Sequence, residues 1–281
     1  MLRILIDGSG DMPEGWAEAY EFDILPMPIQ IGSKTYYQGE DITPDEFYTL
    51  VRDKENVPQT AAPSPFRIKA FIEKVCNIGD TVLSISVSGK MSSTVSMVKH
   101  AARELADKIH VVTFDSLAGS AVLALMAREA RLRARAGDSI ETILEKLREI
   151  REKVTVVLTV DSLEFARRSG RVNALQAAVT SLLNIKPIIT LKEGMMEMSE
   201  MVRTRKKSLE RIVEKIYEKY ADQALKIAIV HSQDPDTAVK LKEMVEAVIN
   251  SAEMILTELS ISVAANLGPG TVGIVALPDD V

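Results

Sequence analysis

Short apolar runs that end in small polar loops recur along the first half of the chain. Leu2 to Ile6 leads into Asp7-Gly8-Ser9-Gly10, and Thr81 to Val87 and His110 to Phe114 repeat the pattern. Runs of this length without strict alternation are typical of strands buried on both faces, as in a parallel sheet. Ile24 to Ile31 is predicted as a further strand. Between these runs apolar residues recur at helical spacing, predicting helices from Thr43 to about Arg52, Phe66 to Cys76, Ser92 to Ala106, Ser120 to Arg135 and Asp138 to Arg151. Thr43 can cap the first of these, with Pro44 at its first position. Ser64 caps the second, although Arg67 stands where a full capping box has an acid. Gly137 stops the long Ala- and Leu-rich helix, and Asp138 or Ser139 caps the one after it. Pro58, Pro63 and Pro65 make residues 56–65 a loop.

The texture changes after the β-branched run Val154 to Val160, itself a strand. A short helix over Leu163 to Arg168 breaks at Ser169-Gly170-Arg171, and helix resumes from Leu175 to Leu183. Ile185 to Thr190 is a strand, and Gly194 makes a hairpin turn before Met195 to Val202. Then follow a helix over Ser208 to Tyr220, a strand over Lys226 to His231 and a helix over Thr237 to Ile249. A strand over Ile255 to Val263, a tight turn at Gly268-Pro269-Gly270 and a strand over Thr271 to Leu277 end the chain. The alternation over residues 1–150 predicts a parallel α/β/α sandwich. The hairpin-containing remainder, 151–281, predicts a mixed-sheet α/β domain with helices on one face.

A chain of 281 residues, 46% of them hydrophobic, fits one large domain or two ordinary ones. Its formal charge of -6 argues against nonspecific nucleic-acid binding. Cys76 is the sole cysteine, which excludes an intrachain disulfide or a cysteine-rich zinc site and favours a reducing compartment. The first apolar run is too short for a signal peptide, and no stretch approaches 18 apolar residues. No integral membrane segment is therefore expected, and the location expected is cytoplasmic.

Candidate chemistry concentrates in loops. Asp7-Gly8-Ser9-Gly10-Asp11 follows the first strand, where α/β folds meet ligands; its two carboxylates suit either a metal or loop capping. It lacks the longer glycine pattern of a phosphate loop. Thr60-Ala61-Ala62-Pro63-Ser64 is a proline-constrained loop with two hydroxyls. Ser88 to Ser93 approaches a helix start, where oriented amides and hydroxyls can receive a carboxylate or can simply cap the helix. No histidine lies near these serines in sequence, and Gly-x-Ser-x-Gly is absent, so a serine hydrolase would need a distant base such as His231. Arg167, Arg168, Arg171, Arg203, Arg205, Lys206 and Lys207 form a basic set that suits a phosphate or a solvated face balanced by Glu197, Glu200 and Glu210. The 12 methionines suit an adaptable apolar cavity or ordinary core.

Taken in order, these segments resemble the DegV family. The residues that carry the likeness are Ile6-Asp7-Gly8-Ser9, Tyr37-Gln38-Gly39-Glu40-Asp41-Ile42, the Pro58 to Pro65 loop, Ser88 to Thr94, Asp115-Ser116, Gly170-Arg171, Leu183 to Ile188 and Gly268-Pro269-Gly270. The resemblance implies a two-domain DegV-like α/β fold with a lipid cleft between the domains, and a long-chain fatty acid as ligand without any cofactor. It implies that Thr60 and Ser92 hold the fatty-acid carboxylate, with Ser93 where the family usually has glycine. Some DegV-like proteins are the lipid-binding subunit of a two-part fatty acid kinase, so a separate ATP-binding subunit is an implied partner. Arg171 and Arg203 match the family's Gly-Arg and Val-Arg-Thr arginines and would face phosphate or partner. Asn266 stands where the family usually has histidine, and Ala61-Ala62 replace its common Ser-Gln pair. On this reading the chain has no catalytic activity alone. A structural or regulatory role without lipid presentation is the alternative.

Overall fold

The buried apolar runs of the first half become parallel strands in the computed structural model, which describes residues 1–53, 55–173 and 185–281. The chain divides into two units. One comprises Met1–Arg151 with Ser260–Ser262, and the other Glu152–Leu259 with Val263–Val281.

In the first unit the strands are β1 (Leu2–Asp7), β2 (Phe22–Leu25), β3 (Pro28–Ile31), β4 (Lys34–Tyr37), β5 (Gln59–Thr60), β6 (Thr81–Ser86) and β7 (His110–Asp115). A parallel sheet has the order β2-β1-β6-β7, and a small antiparallel sheet has the order β4-β3-β5. The helices are α1 (Trp16–Ala19), α2 (Pro44–Val51), α3 (Pro65–Val75), α4 (Thr94–Leu105), α5 (Ala121–Ala136) and α6 (Ile140–Lys153). Leu5 and Val82 pack with Ile68 and Ile72 of α3 and with Val98, Ala101 and Leu105 of α4. Their strand neighbours Ile4, Ile6 and Leu83 point to the opposite face, because side chains alternate across a strand. There α5 packs against β1 and β6. Helices on both faces make the α/β/α sandwich. Fully burying residues such as Ile68 and Ile72 stabilises it by about 1.5–3 kcal/mol each. Arg131 of α5, only 5% exposed, ties the layers together. Its guanidinium donates to the carbonyls of Leu2, Tyr20 and Glu21 at 3.3, 2.9 and 3.0 Å.

Three sequence expectations fail in instructive ways. Ile24 to Ile31 is two strands in two sheets: Pro26 cannot donate to a ladder, and the chain leaves the parallel sheet there to start β3 at Pro28. Residues 56–65 are not all loop, because Gln59–Thr60 pairs with β3. Ile255 to Val263 is not one strand; the strand stops at Glu258 and Ile261 begins a helix. The four-residue α1 was not foreseen. The capping signals hold: Thr43 and Glu46 form a full capping box, and the Arg67 amide donates to Ser64 Oγ at 3.3 Å.

In the second unit a mixed sheet is built from β8 (Thr155–Thr159), β9 (Val172–Asn173), β10 (Lys186–Lys192), β11 (Met195–Val202), β12 (Leu225–His231), β13 (Ser251–Glu258) and β14 (Val272–Pro278). Its order is β13-β12-β14-β8-β10-β11-β9; the β12–β13 and β9–β11 pairs are parallel and the others antiparallel. Gly194 at φ 83° makes the β10–β11 hairpin turn. The helices are α7 (Leu163–Ser169), α8 (Arg205–Tyr220), α9 (Pro235–Glu246) and α10 (Ile261–Leu267). α8 and α9 share one core with Val157, Ile188, Ile227, Ile229 and Ile274. α8 runs back along β8: its last residue, Tyr220, donates to the Lys153 carbonyl at 2.6 Å, and its first, Arg205, donates to the Gly270 carbonyl at 2.7 Å. The helix expected over Leu175 to Leu183 lies outside the described residues. Among the described residues, no helix is long and apolar enough to cross a membrane.

Candidate functional site in the first unit

In the parallel sheet β1 and β6 are adjacent while their chains continue to opposite sides, to β2 and to β7. The carboxyl ends of such a strand pair open a crevice where α/β folds bind ligands. Loops 8–11, 87–93 and 116–120 meet at this edge, and their polar groups are buried rather than solvated. Asp7, Ser9, Asp11, Ser88, Thr94 and Ser116 are each at most 5% exposed. Polar groups taken out of water need hydrogen-bond partners, and the three loops supply them to one another.

Asp7 is the pivot between the first two loops. Its Oδ1 accepts from the Ser9 amide at 3.1 Å and the Ser9 hydroxyl at 2.5 Å, and its Oδ2 accepts from the Val87 amide at 2.7 Å. Burial pushes its pKa up, opposed by these bonds. Asp11 accepts from the Ser260 amide at 2.7 Å and the Ser120 hydroxyl at 2.5 Å; burial raises it to about 6 against those same bonds. Asp115, ending β7, accepts from the amides of Gly89 at 3.2 Å and Leu117 at 2.9 Å. A Cβ on Gly89 would lie 2.8 Å from Asp115 Oδ2, so the loop closes this tightly only on glycine. Gln38 donates to the Gly8 carbonyl at 2.7 Å and accepts from the Ser262 amide at 3.1 Å, and Ser262 Oγ also donates to Gly8 at 3.0 Å. Of the two sequence readings of the Asp7–Asp11 loop, the geometry matches capping. Among the described residues no group of three His, Cys, Asp or Glu could hold a metal ion.

Asp7 and Asp115 thereby fix the loop that carries Ser92 and Ser93. The amides of Met91 and Ser92 both donate to the Ser88 carbonyl at 3.0 Å, turning the chain toward α4. Ser92 Oγ accepts from the Thr94 amide at 3.3 Å and shares a 2.8 Å bond with Thr94 Oγ1. The Ser93 carbonyl accepts the first α4 bond, from Met97 at 3.0 Å, so the amides ahead of Met97 have no partner within the helix. Thr60, half-buried on β5, is paired with Ile29 of β3. The arrangement offers neutral hydroxyl and amide donors around a helix start. That is chemistry for receiving an anion, and Ser92 is bonded to a threonine rather than to a base.

The model of the DegV family, whose members are described as uncharacterised proteins, matches residues 1–279. A DegV domain-containing protein of Listeria innocua is 30% identical over 97% of each chain. The chain belongs to the DegV family. Among solved structures, a DegV family protein of Thermus thermophilus described by its fatty acid binding has a TM-score of 0.89 at 29% identity, covering 99% of both chains. A DegV lipid-binding protein of Thermotoga maritima has a TM-score of 0.88 at 26% identity, covering 99% of this chain and 98% of the other.

The remaining residues singled out by the DegV resemblance belong to the second unit. Arg171 follows Gly170, which sits at φ 68° and ends α7; its amide donates to Ser169 Oγ at 3.2 Å and its guanidinium to the Ser169 carbonyl. Arg203 is exposed between β11 and α8, and Asn266 is half-buried on α10. His231, 6% exposed at the end of β12, is held below its ordinary pKa by burial. Sequence reasoning gave no role to Gln38, Asp115, Ser120, Ser260 or Ser262. Asp115 and Gln38 lie in segments that carry the family likeness, which was the available signal. The last two were hidden inside a misread strand.

Proposed function

We propose that this DegV protein binds a long-chain fatty acid, its carboxylate held at the edge of the parallel sheet by Thr60, Ser92 and Ser93. The observation that carries this reading is the likeness to the fatty-acid-binding Thermus thermophilus protein over 99% of both chains. The loop chemistry supports it. When Thr94 Oγ1 and the Thr94 amide both donate to Ser92 Oγ, the Ser92 proton is left to donate outward. A carboxylate selects that arrangement. The positive end of α4 adds to it, and no arginine or lysine is required. Each buried methylene of the acyl chain contributes about 0.8 kcal/mol before association costs, so a long chain supplies the affinity and the head group the orientation. A hydrogen bond to a charged group contributes about 1.5–3 kcal/mol. Ser92→Ala and Thr60→Val should each weaken fatty-acid binding by roughly ten- to a hundredfold, read by displacement of a fluorescent fatty acid from delipidated protein. Unchanged affinity in both variants would remove the carboxylate site from these loops.

The proposal extends to presentation of the bound acid to a separate ATP-binding kinase subunit. Arg171 and Arg203 would face the phosphate or the partner, and Asn266 would offer a hydrogen bond without the proton-transfer capacity of imidazole. The exposure of Arg203 supports this reading. Reconstitution with the ATP-binding subunit of the same organism should yield acyl phosphate. Arg171→Ala and Arg203→Ala should lower that turnover and leave lipid loading intact. Full loading with no partner-dependent phosphorylation would reject presentation and leave the binding assignment standing.

A further inference from the structure

Loop 88–93 lies between β6 and α4 and belongs to no ladder, so its shape depends on where its amides find acceptors. The Lys90 amide donates to Ser88 Oγ at 3.2 Å, and those of Met91 and Ser92 turn back to the Ser88 carbonyl. Two amides reach out of the loop. That of Ser88 donates to the Ala118 carbonyl at 2.8 Å, and that of Gly89 to both oxygens of Asp115 at 3.2 Å. Asp115 also takes the Leu117 amide at 2.9 Å, in a segment where Leu117 stands at φ 50°. Ser116 Oγ closes that segment, accepting from the Ala118 amide at 3.1 Å and donating to the Ala118 carbonyl at 3.2 Å. Residues 115–118 are thus the template on which the loop rests, and the Asp115 carboxylate bonds to both. Asp7, by contrast, grips Val87, ahead of the loop. The sterics single out the same contact. Gly89 is not in the left-handed region, and among the described residues Asp115 supplies the only atoms within 4 Å of a Cβ built there, the nearer at 2.8 Å.

We propose that Asp115 is a positioning residue for the carboxylate site, an inference that rests on the fatty-acid reading above. It does not touch the ligand. By holding Gly89 and Leu117 it aims the Ser92 hydroxyl, and so lets the protein tell a free carboxylate from a neutral head group. An acyl chain gains from apolar burial wherever its head lies. A hydrogen bond to the head weakens steeply once the donor is misaimed, so the donors have to be held in place beforehand. Loosening the loop therefore lowers affinity for the acid and spares that for the corresponding alcohol. The two amides that face the Asp115 oxygens also offset its negative charge beside a site for an anion.

The test is equilibrium binding of radiolabelled oleate and oleyl alcohol to the delipidated full chain. Asp115→Ala should weaken oleate binding roughly tenfold and oleyl alcohol binding less than about twofold. Asp115→Asn keeps an oxygen for Gly89 and should hold oleate within about threefold of wild type. Gly89→Ala, whose methyl meets the carboxylate, should weaken oleate as Asp115→Ala does. In the double variant Gly89→Ala/Asp115→Ala that collision is gone, so the pair should lose no more than Asp115→Ala alone. Unchanged oleate binding in Asp115→Ala, an equal loss of both ligands, or additive losses in the double variant would overturn the role of Asp115 and leave fatty-acid binding intact. Wild-type protein that binds neither ligand would overturn the fatty-acid reading itself, and this role with it.

Discussion

Asp11 is 2% exposed, and its carboxylate accepts from the Ser260 amide, the Ser120 hydroxyl and the Ser260 side chain. These neutral donors do not fully replace water, so burial lifts its pKa from 3.8 to about 6. The sign of the linkage follows. Between about pH 4 and pH 6 the folded state holds a proton at Asp11 that the unfolded state has released. Asp11 therefore favours the folded state most below pH 4, and that contribution is lost as pH rises through about 6. The gap corresponds to roughly 3 kcal/mol, an upper figure for one site. Asp11→Asn removes the charge and keeps an oxygen for Ser260. It should gain up to about 2 kcal/mol over wild type at pH 7.5 and little at pH 4, read by urea unfolding at both values. A gain of equal size at both, or a loss at pH 7.5, would contradict this account of Asp11. The loop bearing Asp7 and Asp11 was visible in sequence as a strand-end turn, but its partners were not. Val87 lies 80 residues from Asp7 and Ser260 lies 249 from Asp11, and no local pattern encodes such distances. The Ser92–Thr94 bonds, by contrast, join near neighbours at a helix start that the run of hydroxyl residues displays.

Elements were legible where local chemistry decides them and lost where sheet pairing does. Caps at Thr43 and Ser64 and the stops at Gly137, Gly170 and Gly194 follow from backbone preferences that any sequence displays. The division of Ile24 to Ile31 falls at Pro26, a strand breaker that the apolar residues around it concealed. Gln59–Thr60, in turn, is a strand only because β3 lies beside it. Gly270 shows an element end that is set by both causes. It sits at φ 76°, and a Cβ there would come within 2.6 Å of Asp161 Cβ. Its amide donates to the Ser232 carbonyl at 2.8 Å, and its own carbonyl takes Arg205, so the turn joins the starts of β14 and α8 to the end of β12. Gly270→Ala should destabilise the fold by about 2–4 kcal/mol, combining left-handed strain with overpacking. A thermal-melt shift of under 1 °C would mean the turn relaxes at no cost.

At the scale of the whole molecule, family membership spans residues 1–279 and the fold is that of solved DegV proteins. Strand and helix alternation was sufficient to read a parallel sheet followed by a mixed one. The small β4-β3-β5 sheet, which carries Thr60, was missed because its strands are two to four residues long and β3 was merged with β2 into one expected strand. The sequence reading put Thr60 in a prolyl loop, whereas the chain there is β5, paired with β3. Fatty-acid binding is the central claim, and native mass spectrometry of gently purified, full-length protein addresses it most directly. The account predicts a mass increment matching a long-chain fatty acid, extractable with organic solvent and restored by adding palmitate or oleate to the delipidated protein. Reproducible absence of an acyl ligand, together with no rebinding of either acid after delipidation, would contradict it.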